Sequence, residues 1–260
     1  MQHCAVVAAI VCLFNSVSAQ LLQLDEELEY EVSYLSIPLG RIRIVTQGTE
    51  SLGDRPVVRA VAYMESYPSI PFLSLRSEFR SWLDTSAAFS YRFEGWARQG
   101  NEEKHGKAEF DYRRRLIYVE EWENGRQVLA RTYLLRARMN DGLSLLFAAR
   151  RFVFSGKSYR FPTVVAGDTA ATVIHFVGRR EPVRISALPH PVQTVYFRGV
   201  ANWTGIYGLT GAFEGWFSDD EARVPIRAKM RVYLGSITIE LVRWRRQGWR
   251  PPEVHVGKAQ

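Results

Sequence analysis

Hydrophobic and polar residues alternate with period two along most of this chain. In LEYEVSYL, Leu28, Tyr30, Val32 and Tyr34 share one face, and Glu29, Glu31 and Ser33 share the other. RIRIV continues the pattern with Ile42 and Ile44 against Arg41 and Arg43. Pro38 and Gly40 lie between the two runs and supply turn geometry, so the pair reads as a hairpin. Further strand-like runs cover 57–65, 75–83, 87–99, 107–112, 115–122, 126–136, 172–178, 192–200, 206–217, 223–234 and 236–244. Asn124-Gly125 between two of them is the strongest short hairpin signal in the chain.

One segment breaks the alternation. NDGLSLLFAARRF opens with Asp141 as a helix cap and closes on arginines suited to a helix C-terminus, which predicts a short helix over about 143–151. Such a helix would plug or cover one end of a curved sheet. RFPTVVAGDTA after it reads as a loop between halves. The fold class expected is therefore all-β: an antiparallel β-barrel or strongly curved sheet, mostly a meander, with one short helix.

Composition narrows the class. With 47% hydrophobic and 13% aromatic residues among 260, the chain can bury a substantial core and is not intrinsically disordered. The apolar stretch near residues 5–14 is too short to span a bilayer, and Val17 and Ala19 sit at the minus-three and minus-one positions of a cut before Gln20. Residues 1–19 are thus expected to be a signal peptide, 20–247 one β-rich domain and 248–260 a polar tail. Cys4 and Cys12 both fall in the expected signal, so the exported chain would carry no thiolate zinc site, disulfide or cysteine nucleophile.

EGWFSDDEAR at 214–223 raises the question of an acidic site. Ser218, Asp219, Asp220 and Glu221 stand between two alternating runs, where short polar side chains favour a turn by bonding nearby backbone donors. The spaced oxygen ligands of a calcium loop are missing, and the turn reading is preferred.

Three stretches in order, LEYEVSYLSIPLGRIRI, DGLSLLFAAR and WFSDDEARVPIRAKMRVYLGSITIEL, resemble the exported bacterial family of domain of unknown function 3108. Its pattern falls on Tyr30, Tyr34, Pro38 and Gly40, on Asp141 and Ser144, and on Ser218, Asp219, Asp220 and Pro225. Phe147 stands where the resemblance leads one to expect tyrosine. The resemblance implies an exported, β-rich envelope protein and brings no activity with it.

Candidate chemistry is thin. His105 lies near Glu102, Glu103 and Asp111 in a run that reads as a polar hairpin tip. His175 falls within a strand, His190 between two prolines and His255 in the tail, and no pair has ligand spacing. Ser144 lacks the G-x-S-x-G context of a nucleophile elbow. Glu120 and Glu121 are adjacent on a strand and face opposite sides, so they cannot flank one glycosidic bond. The glycines of YGLTGAFEG are wrongly spaced for a dinucleotide. No catalytic residue, metal or cofactor is expected.

Charge is more informative. The formal charge is +7, and arginine dominates at 113–115, 150–151 and 243–250. Alternation places Arg223, Arg227, Lys229 and Arg231 on one outward face, with Arg243, Trp244, Arg245 and Arg246 close in sequence to the chain end. Arginine with tryptophan suits phosphate groups and membrane interfaces. Nucleic acid is disfavoured, because no reader motif is present. The function expected is non-catalytic binding of a lipid-like or other anionic amphiphile in or on a curved sheet. A structural envelope protein with a protein partner, and an envelope hydrolase acting on glycan or lipid, remain the alternatives.

Overall fold

The structure, a computed structural model, describes residues 21–71, 73–165, 167–203, 211–232 and 235–254. The expected signal segment with both cysteines, His255 and the expected strand residues 206–210 lie outside the described residues. The strands are β1 (Glu27–Tyr34), β2 (Ile37–Leu52), β3 (Arg55–Ser66), β4 (Leu75–Asp84), β5 (Ser90–Gln99), β6 (Glu102–Asp111), β7 (Leu116–Glu123) and β8 (Arg126–Leu134). Helix α1 (Ser144–Arg150) follows, then β9 (Ser158–Val165), β10 (Asp168–Val183), β11 (Val192–Ala201), β12 (Gly211–Ser218), β13 (Pro225–Arg231) and β14 (Ser236–Arg245).

These strands form one antiparallel sheet in the order β8-β7-β6-β5-β4-β3-β2-β1-β14-β13-β12-β11-β10-β9. It consists of two meanders joined where the first strand pairs with the last, Leu28 opposite Trp244 and Val32 opposite Ile239. The sheet curls strongly but does not close, because β8 and β9 are left as its two edges. Contacts other than a strand ladder span this seam. The Tyr133 hydroxyl donates to the Gly167 carbonyl (2.6 Å), and Val164 of β9 packs with Phe110, Ile117 and Val119 of β6 and β7.

Turn chemistry places the hairpins. At Asn124-Gly125 both residues have positive φ (49° and 78°), the geometry that a two-residue connection needs. The first hairpin turns at Leu35-Ser36 (φ 48° and 66°), two residues before the expected Pro38. Pro38 and Gly40 are instead part of β2. Gly40 is there for space, since a Cβ at this position would stand 2.2 Å from the Glu65 carbonyl oxygen of β3. The expected loop after the helix is also strand: 158–165 forms β9, whose Phe161 and Thr163 are buried. Pro162 disguises it, yet proline is tolerated on an edge strand.

Helix α1 has seven residues and is too short to persist unaided, so packing must hold it. Leu143 and Phe147 enter one apolar cluster with Leu28, Tyr30, Ile44, Val58 and Leu83. Leu145, Ala148 and Ala149 enter a second with Phe161, Phe176, Phe197 and Phe217. The helix therefore fills the hollow of the curved sheet and bridges its halves. Phe147 is 1% exposed, and burying such a ring contributes about 1.5–3 kcal/mol. Past the last strand, Trp249 meets Trp244, Pro251 is buried and Gln193 N donates to the Pro252 carbonyl (2.8 Å). The stretch expected as a tail thus begins with docked residues.

Candidate functional site

Several arginines of the expected basic face are ion-paired with neighbouring strands. Glu27 of β1 lies between Arg43 of β2 (3.2 Å) and Arg245 of β14 (3.0 Å). Glu29 lies between Arg41 (3.2 Å) and Arg243 (3.9 Å) in the same way. Arg227 Nε donates to Glu240 Oε2 at 3.0 Å, and Lys229 sits over the Trp216 ring at 5.7 Å. Arg231 is exposed at the end of β13 with no ion pair among the described residues. Trp244 is half-buried and meets Trp249 edge to face at 5.9 Å.

Two members of that set are not on the face at all. Arg223 has φ 48°, so the alternation fails there, and its Nη1 donates to the carbonyls of Arg150 (3.1 Å) and Arg151 (3.2 Å). Arg246 is buried and pairs with the buried carboxylate of Glu26. Arg150, expected at the helix C-terminus, is wholly buried there: Nη1 and Nη2 fork onto Glu26 at 2.7 and 3.2 Å, and Nη2 also donates to the Ala222 carbonyl (2.7 Å). Burial alone would raise the Glu26 pKa, but the two guanidinium groups hold it below the ordinary carboxylate value.

The acidic stretch completes this junction between helix and sheet. Residues 219–224 connect β12 to β13, and Asp220 Oδ1 accepts from Ser218 Oγ (2.7 Å), Ala222 N (3.0 Å) and Arg223 N (3.0 Å). Its Oδ2 accepts from Trp249 Nε1 (2.8 Å). Asp219 pairs with Arg180 (2.8 Å), and Tyr30 donates to the Pro225 carbonyl (3.1 Å). Family positions from the first and last motifs therefore touch, and the middle motif enters through Arg150. Their shared task is to lock the two meanders onto the helix.

The other end of α1 holds Asp141, which is fully buried. Its Oδ1 accepts from Ser81 Oγ (2.6 Å), Leu143 N (2.8 Å) and Ser144 N (2.8 Å), while Ser144 Oγ accepts from Asp141 N (2.8 Å). This reciprocal cap sits just ahead of the helix. Oδ2 is buried without a hydrogen bond, and Ser90 Oγ donates instead to the Arg92 carbonyl (2.9 Å). Burial raises the Asp141 pKa despite those donors. His105 is not at a hairpin tip. It lies in β6, stacked between Trp96 and Trp122 at 4.7 Å each, and burial lowers its pKa.

An open cleft of about 1060 Å³ lies at the seam between the two sheet edges. Leu134, Ala137 and Met139 line it from the β8 side, Pro162 and Val165 from β9, Ala170 and Ala171 from β10, and Trp203 closes it. Arg136 and Arg160 also line it, and neither has a carboxylate within ion-pair distance among the described residues. Asp168 is the one acidic residue of the lining. The cleft thus combines apolar side chains with two guanidinium groups that have no ion pair among the described residues. Sequence reading missed it, because the seam joins residues 133–139 to 160–171 across a segment expected to be a loop.

Comparison with known proteins agrees with this architecture. A family model described as a protein of unknown function (DUF3108) matches residues 29–242. A search of curated proteins finds no match. Among solved structures, a β-barrel-like protein of domain of unknown function DUF1849 from Brucella abortus is similar in fold: TM-score 0.56, 12% identity, 85% of this chain and 97% of that chain covered. A candidate exported protein with a YmcC-like fold from Bacteroides fragilis covers 86% of this chain and 97% of its own, at 9% identity and TM-score 0.38. Only the first of the two is similar enough to bear on the fold. No helix among the described residues is long and apolar enough to cross a membrane.

Proposed function

This chain belongs to the DUF3108 family, and we propose that it is an exported, non-catalytic envelope protein that binds an anionic amphiphile in the seam cleft. The observation that carries this reading is the pairing of an apolar floor (Leu134, Met139, Val165 and Trp203) with Arg136 and Arg160 in one open cleft. A lipid-like molecule has the matching chemistry: its tail covers the floor, and its carboxylate or phosphate meets the guanidinium groups. The hollow of the sheet is a poorer place for an acyl chain, since Phe147, Leu145 and Ala148 of α1 already fill it. The β13 and β14 face is a poorer headgroup site, since Glu27, Glu29 and Glu240 occupy its arginines.

The test is binding of a fluorescent fatty-acid probe to wild type and to an Arg136→Glu/Arg160→Glu variant. Wild type should bind, with salt reducing the headgroup contribution and leaving the apolar one. The double variant should bind more weakly by about 2 kcal/mol, at about 1 kcal/mol for each basic group. Equal binding by both proteins would move the ligand away from the seam. Hydrolysis of a lipid ester or envelope glycan by the wild type would overturn the non-catalytic part of the proposal.

A further inference from the structure

The two edges of the sheet are unlike. On β9, the chain leading into α1 lies alongside the edge as a parallel bridge: Asn140 N donates to the Pro162 carbonyl (2.9 Å), and Val164 N donates to the Asn140 carbonyl (2.8 Å). On β8 nothing of the kind occurs among the described strands. β8 pairs with β7 alone and leaves its outer edge unpaired along nine residues.

β8 is also exposed along most of its length. Val128 and Leu134 are 50% and 58% exposed, and only Leu129 and Tyr133 are partly covered. It contains no proline, which would have removed an edge donor. A long open edge presents a row of backbone donors and acceptors that an extended chain can match.

Charge identifies the occupant. Arg126 and Arg131 lie in β8, Arg136 and Arg138 follow, and residues 126–140 contain no Asp or Glu. Glu123 of β7 stands opposite Arg126 but pairs with Lys104 (3.3 Å), and neither Arg126 nor Arg131 has a carboxylate within ion-pair distance among the described residues, whereas the arginines of β2 and β14 do. Two copies of β8 paired edge to edge would gather arginines on one ribbon, and like charges oppose such pairing. A strand with acidic side chains would find donors for its backbone and cations for its carboxylates.

We infer that β8 is an acceptor edge for an extended acidic segment of a partner protein, which adds to the sheet as a further strand. This site adjoins the seam cleft, which Tyr133 and Leu134 at the end of β8 line, but its charged groups Arg126 and Arg131 are not part of that lining.

The probe is a nonapeptide of alternating valine and glutamate, added to the full chain and followed by hydrogen exchange. Amides of β8 should become protected, and affinity should fall at least tenfold in an Arg126→Glu/Arg131→Glu variant. A peptide with lysine in place of glutamate should bind at least tenfold more weakly than the acidic one. An Arg160→Glu variant, altered on the β9 wall of the cleft, should bind the acidic peptide within about twofold of wild type, which separates this site from the seam cleft. No β8 protection, equal binding of the lysine peptide, or unchanged affinity in the Arg126/Arg131 variant would overturn the inference. So would sedimentation showing that the wild type occupies this edge with a second copy of itself.

Discussion

The β1 and β14 side and the seam cleft use the same residue type to opposite ends. On β1, Glu27 and Glu29 are each held by one arginine from β2 and one from β14, so every arginine of this cross-strand ladder has a carboxylate partner. In the cleft, Arg136 and Arg160 stand beside apolar side chains with no carboxylate at ion-pair distance among the described residues. Counting arginines along a sequence cannot separate these cases. What decides is whether the neighbouring strands bring acids to the same face, and that depends on register.

The largest effect should come from the most satisfied arginine. Arg150 is buried with Glu26 and Arg246, and its replacement by methionine leaves Glu26 undercompensated in the interior. Arg150→Met should cost about 3–5 kcal/mol in urea unfolding, the usual loss when one partner of a buried pair is removed. A loss under about 1 kcal/mol would show that the junction is not structural.

Acid should dissect the same junction. Glu26 has a pKa below its ordinary value in the fold, so its stabilisation is present above the unfolded carboxylate pKa. It is lost as pH falls through the lowered folded value. Asp141 behaves in the opposite sense, because burial raises its pKa: its contribution is complete at low pH and is lost as pH rises through the folded value. The melting-temperature advantage of wild type over Glu26→Gln should therefore shrink as pH drops below about 4. The difference between wild type and Asp141→Asn should move in favour of the variant as pH rises. Parallel pH profiles for the two variants would contradict both assignments.

The surface ladder should matter least. Arg243→Gln and Arg245→Gln should each change stability by no more than about 1 kcal/mol, the ordinary worth of an exposed ion pair. They should also leave amphiphile binding unchanged in a fluorescence titration. If Arg245→Gln instead weakened binding as much as Arg160→Glu, the contrast between the two regions would collapse.

Much of the fold was legible in the sequence because strand alternation is local. The hairpin at Asn124-Gly125, the helix after Asp141 and the meander all follow from short-range patterns. Positions that depend on distant partners were not legible. β9 was hidden by Pro162, and His105 sits in β6 between Trp96 and Trp122, which neighbouring strands bring to it. Glu26 offered a signal that went unread: it shares parity with Leu28 and Tyr30, and a carboxylate on an inward face requires a buried cation. Phe147 and Arg150 likewise share one helix face. The cleft gave no such signal, since its two walls are brought together by the curl of the whole sheet.

Native mass spectrometry of the purified protein, followed by probe titration of the delipidated chain, tests the seam as a ligand site. An anionic amphiphile should copurify with wild type and be lost from the Arg136→Glu/Arg160→Glu variant, while the Arg243→Gln/Arg245→Gln variant retains it. A wild-type chain that carries no amphiphile and binds no probe at any salt concentration would contradict the seam as a ligand site.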